Sequence, residues 1–130
     1  MKQTIFKEKY PIFTLEIGKE ETDKKSVDEI IAYFKEKIDA HPVAVYIGTF
    51  DHYAHTSSLP EHKINPQIKD VKNIIFCFGA EIPDTKVAAI RPRSIGVSDI
   101  GDAFVVDFME APNEKANAFM EEWAKALKKA

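Results

Sequence analysis

Apolar residues recur along this chain with two different periods, and the changes of period outline its elements. From Ile12 to Ile17, Phe13, Leu15 and Ile17 alternate with Thr14 and Glu16. This predicts a strand with one buried face. Gly18 to Lys25 is charged and reads as a loop. A helix is predicted from Ser26, because Ser26 and Glu29 have the spacing of a capping box. Val27, Ile30, Ile31, Phe34 and Ile38 then fall on one helical stripe. His41-Pro42 ends the helix, since the residue before proline is pushed away from helical angles.

Val43 to Phe50 reads as a second strand. It is apolar on both faces, which predicts a central position. Between Asp51 and Lys72 the chain is mixed and polar, and Asn65-Pro66 predicts the start of a short helix through Val71. A third strand runs from Asn73 to Phe78. Gly79 to Arg93 is a long connection with some extended structure around Val87 to Ile90. Ser94 to Ser98 and Ala103 to Phe108 predict a hairpin, with Gly101 in its turn. A final helix starts near Pro112 or Asn113, with Ala116, Phe119, Met120, Trp123 and Leu127 on its apolar stripe. The order is β-α-β-(α)-β-β-β-α. It predicts a single compact α+β domain over residues 1–130, with a mainly antiparallel sheet and two main helices. The first strand–helix–strand unit can place its strands parallel. Residues 1–10 read as a loose N-terminal extension.

Composition narrows the function classes. Hydrophobic residues make up 45% and aromatic residues 11%, enough to form a core rather than a disordered chain. Eighteen Lys and Arg against 21 Asp and Glu give a net charge of −3, so no nucleic-acid partner is expected. One cysteine excludes an internal disulfide and any multi-cysteine metal site. No signal-peptide pattern and no membrane-length apolar run is present, which predicts a cytoplasmic protein with no membrane partner.

Four groups of residues carry candidate chemistry. Arg91 and Arg93 flank Pro92, and two residues apart on an extended chain they point the same way. Paired guanidinium groups can grip a carboxylate or phosphate. The bland alternative is a solvated pair, or ion pairs with Asp99 and Asp102. His52, His55 and His62, with Asp51 and Glu61 nearby, supply ligand types for a transition metal or haem. Residues three apart on a strand face opposite ways, so His52 and His55 converge only if the chain turns at Tyr53-Ala54. Cys77, inside an apolar strand, reads as an inert buried thiol, although a pairing with His52 or His55 is left open. Ser57 and Ser58 suit a turn or cap better than a nucleophile.

Three stretches also carry a resemblance. They are Phe50-Asp51-His52-Tyr53-Ala54, then Asn73-Ile74-Ile75-Phe76-Cys77-Phe78-Gly79, then Arg91-Pro92-Arg93-Ser94-Ile95-Gly96-Val97-Ser98-Asp99 with its hairpin. In this order they resemble the prokaryotic family catalogued as domain of unknown function 302, over roughly Ile12 to Leu127. The resemblance implies a compact α+β fold. It implies no activity and no catalytic residue.

The expected function is binding of a small anionic ligand, by Arg91, Arg93, Asp51, His52 and His55, in a pocket between the 51–60 loop and the 91–93 segment. The apolar strands must be covered on both faces with only two convincing helices available, which predicts a homo-oligomer. One alternative is a metal- or haem-associated protein using His52 and His55. Another is a small hydrolase or isomerase, although the residues lean away from an enzyme. No particular cofactor is indicated.

Overall fold

The two periods fold as one six-stranded antiparallel sheet with two long helices on one face, in a computed structural model that describes residues 1–129. The strands are β1 (Lys2–Phe6), β2 (Tyr10–Gly18), β3 (Val45–Phe50), β4 (Asp70–Cys77), β5 (Arg93–Asp99) and β6 (Ala103–Met109). The helices are α1 (Val27–Ala40), α2 (His52–Ser57), α3 (Val87–Ile90) and α4 (Glu114–Lys125). Across the sheet the order is β1-β2-β6-β5-β4-β3. The α+β class and the antiparallel sheet expected from the pattern are both present.

Alternation decides which face is covered. Leu15 and Ile17 on β2, Ile74 and Phe76 on β4, Ile95 and Val97 on β5, and Phe104, Val106 and Phe108 on β6 are buried. They meet Val27, Ile30, Ile31, Phe34 and Ile38 of α1, and Met120, Trp123 and Ala124 of α4. Ser26 caps α1, its hydroxyl accepting from Glu29 N at 3.1 Å. Asn113 caps α4, accepting from Lys115 N and Ala116 N. The Tyr33 hydroxyl donates to the Trp123 carbonyl at 2.6 Å and ties the two helices together. His41 closes α1 and holds the next turn, because its Nδ1 accepts from Val43 N and Ala44 N. Its ring packs edge-on against Phe78 and Phe119, with centroids 5.2 and 4.4 Å apart.

Several expectations need correction. β3 is an edge strand, not a central one. Its register with β4 slips between Tyr46 and Gly48, and Val45 and Ile47 are more than half exposed. β2 and β3 do run in the same direction, but three strands lie between them, so α1 carries the chain across the sheet. No helix forms over 65–71. Asn65 and Pro66 make a turn, with Ile68 N donating to Asn65 O and Gln67 N to Asn65 Oδ1. Beyond it β4 starts, because pairing with β5 satisfies its backbone. The helix in this region is α2, earlier in the chain. Val87–Ile90 is a helical turn rather than extended structure.

Residues 2–6, read from the sequence as a loose extension, form β1 and pair with β2. The tight turn that joins the two strands contains Lys7 and Glu8, at φ 52° and 61°. These angles are those of a type I′ hairpin turn, normally given to Asn and Gly. Gly101, at φ 100°, serves the β5–β6 turn without that cost. Glu8→Gly is therefore expected to stabilise the protein by about 0.5–1 kcal/mol, after the extra flexibility of glycine in the unfolded chain is deducted. Urea unfolding of the variant beside the parent protein measures it, and an unchanged or lowered midpoint contradicts the strain.

Candidate functional site

Arg91 and Arg93 do line one cavity. It holds about 360 Å³ between α3, the end of β4 and the start of α4, against Phe78, Ile90 and Ala116. Arg91 Nη1 donates to the Glu81 carbonyl at 2.6 Å. Arg93 Nη2 donates to the Met109 carbonyl. Arg93 Nε is enclosed and has no partner. Burial lowers the Arg93 pKa from its ordinary value, by making the charged form costly. Among the described residues, neither guanidinium is ion-paired with an acid. Of the two acids expected as bland partners, Asp99 pairs instead with Lys19 at 2.9 Å, and Asp102 forms no ion pair among the described residues. Gly79 makes the close approach of Arg91 possible. A Cβ there would lie 2.9 Å from Arg91 Nη1 and 3.0 Å from Cys77 Sγ.

The 51–60 segment does not share this cavity, which corrects the expected pocket. Asp51 is the N-cap of α2, accepting from Ala54 N at 3.0 Å, and also lies 3.8 Å from Lys72 Nζ. His52 Nδ1 is 3.1 Å from Asn73 Oδ1. Asn73 alternates with the buried Ile74, so it faces away from α1 and α4. Arg93 pairs in register with the buried Phe76 and sits two residues from the buried Ile95, on the helix-covered face. The histidine and arginine candidates thus occupy opposite faces of the sheet.

The chain does turn at Tyr53-Ala54, and His52 and His55 both flank the Phe50 ring, at 5.2 and 5.7 Å between centroids. His62 stands apart, with Nδ1 2.7 Å from the Leu59 carbonyl. Among the described residues, no three His, Cys, Asp or Glu side chains gather to hold a metal. Ser57 and Ser58 donate to carbonyls of α2, at 2.7 and 2.6 Å. Cys77 is half-buried rather than fully buried, and its Sγ accepts from Gly79 N at 3.2 Å. Among the described residues no histidine is hydrogen-bonded to it, and four steps along the strand, about 13 Å, lead from it to Asn73, the residue that His52 meets.

The face away from α1 and α4 holds a polar row. Asn73 Nδ2 donates to Ser94 Oγ at 3.0 Å. Two strands away, the Thr14 hydroxyl donates to Asp107 Oδ1 at 2.5 Å. Asp107 lies between Thr14 and Gly96 in the ladder. Burial raises its carboxyl pKa, and the Thr14 hydrogen bond offsets only part of that.

A family model described as a family of unknown function, DUF6858, matches residues 1–129. The chain belongs to that family. Neither the curated proteins nor the solved structures contain a match to it. No helix among the described residues of this DUF6858 member is long and apolar enough to cross a membrane.

Asp107 is the residue the sequence reading passed over. Its signal was the one charge in Ala103-Phe104-Val105-Val106-Asp107-Phe108-Met109. A carboxyl whose folded pKa is raised destabilises the fold above that pKa. The cost disappears as pH falls through the folded value toward the ordinary carboxylate range. Asp107→Asn keeps an acceptor for Thr14 and removes the charge. It should raise the melting temperature at neutral pH, and the difference from the parent should shrink on acidification. A variant that melts below the parent at neutral pH contradicts this.

Proposed function

We propose that this DUF6858 member binds a small anion, a carboxylate or a phosphate, in the cavity lined by Arg91 and Arg93. One observation carries the reading: Arg91 and Arg93 line the same cavity, among the described residues neither has an acidic partner, and the enclosed Arg93 Nε has no acceptor. A desolvated cation costs free energy until an anion meets it. Planar guanidinium groups match carboxylate and phosphate oxygens. The apolar wall of Phe78, Val87, Ile90 and Ala116 suits a ligand with a hydrocarbon or aromatic body. Asp51, His52 and His55 fall outside this site. The arrangement contains no nucleophile beside a base, so the reading is a binding module rather than an enzyme.

Benzoate and inorganic phosphate, titrated separately at millimolar concentration, are expected to raise the melting temperature with at least one of the two. A ligand at a hundred times its Kd contributes about 2.7 kcal/mol. Arg93→Ala should abolish the shift. A shift that survives the substitution, or no shift with either anion, sinks the proposal.

We also propose self-association through the β3 edge, favoured by the exposure of Val43, Val45 and Ile47 there, at 48%, 56% and 54%. An uncapped apolar edge offers unpaired backbone groups to a second copy. Sedimentation at micromolar concentration should give more than one chain per particle, and Ile47→Lys should reduce it to a monomer. A parent protein that sediments as a single chain overturns the idea.

A further inference from the structure

The face opposite the arginine cavity carries its own concavity. The segment 63–68 and helix α2 stand over the sheet and enclose about 590 Å³. Phe6, Tyr53, Ile64, Ile68 and Val71 form apolar walls, and Ser98 and Asp107 also line it. An adjoining cavity of about 320 Å³ shares Phe6 and Asp107. We propose that this groove is a second binding site, for a small apolar molecule bearing a cationic amine that Asp107 receives.

The charge arrangement selects that chemistry. Among the described residues Asp107 has one side-chain hydrogen-bond donor, the Thr14 hydroxyl on Oδ1. Among the described residues no cation is paired with it. Lys63 and His52 also line the groove, and neither is bonded to Asp107. Its ladder neighbour Gly96 has no side chain to cover it. A carboxylate in apolar surroundings is costly alone and strengthens a bond to any cation that reaches it. An ammonium group supplies both the charge and the donors. The apolar walls then bury the body of the molecule, in a volume ordinary for a small-ligand site. At Asp107, away from any ion pair with Lys63, an anionic group is repelled and an ammonium is favoured, so the two cavities are expected to take charged groups of opposite sign. They lie on opposite faces, and one can fail without the other.

Three probes with one ring system separate charge from shape: tryptamine, indole and indole-3-acetate. Amide shifts at Phe6, Ile68 and Ser98 report on the groove. Tryptamine is expected to move them, and indole-3-acetate to leave them unmoved. Asp107→Asn should weaken tryptamine about tenfold or more, as expected for a lost charge-assisted bond, and leave the weaker indole binding as it was. Unchanged tryptamine affinity in Asp107→Asn overturns the proposal. Equal binding of tryptamine and indole-3-acetate in the groove overturns it too, as does the absence of any groove shift with millimolar tryptamine. If Asp107→Asn does not melt cooperatively, Ser98→Leu decides, because it fills the groove from β5. Loss of tryptamine binding in Ser98→Leu supports the site, and retained binding refutes it.

Discussion

Ile74 and Phe76 on β4, Ile95 and Val97 on β5, and Phe104, Val106 and Phe108 on β6 all point to one side, where α1 and α4 close over them. Each fully enclosed side chain of this size contributes about 1.5–3 kcal/mol. A slip of one residue in any of these strands would turn that whole set outward. The register is therefore fixed by burial, and everything polar on these strands is fixed with it. Asn73, Ser94 and Asp107 occupy the open face because their neighbours in sequence belong to the closed one.

The same constraint explains why the sites lie where they do. Arg93 falls on the closed face at the start of β5, where α3 and the first turn of α4 wall a cavity instead of packing against the sheet. Its long side chain can be partly buried there because its head bonds the Met109 carbonyl. On the other face no long helix provides cover. A six-residue helix and a turn shield one part, leaving a concavity beside them.

The periodic elements were readable in advance. The α1 stripe, the Ser26 cap, the β5–β6 hairpin and the Asn113 start of α4 follow from local chemistry, and local chemistry suffices for them. β3 was misplaced because apolar residues on both faces mark a central strand only where neighbours cover both, and Val45 and Ile47 are exposed on an edge strand whose register slips at Ile47. Asn65-Pro66 has the chemistry of a helix start and of a turn, and pairing between β4 and β5 decided for the turn. The arginine pair was visible as a spacing. Its separation from His52 was not, because the opposite faces of one sheet are set by the registers of β4 and β5 together. Asp107 was visible only as a charge in an apolar run. Its partner Thr14 is 93 residues away.

That distance bears on how the chain comes together during synthesis. β2 lies between β1 and β6, and β6 is the last strand made. Until it emerges, the earlier strands form two separate pieces, β1–β2 and β3–β4–β5, and α1 packs chiefly on the second of them. Pairings this remote in sequence are slow to close. A ribosome adding about 5–20 residues per second leaves β1–β2 without its neighbouring strand β6 for several seconds. The sheet is thus completed at its middle in space and near its end in time, and the interval before β6 arrives is when chaperones or aggregation would find the β1–β2 hairpin.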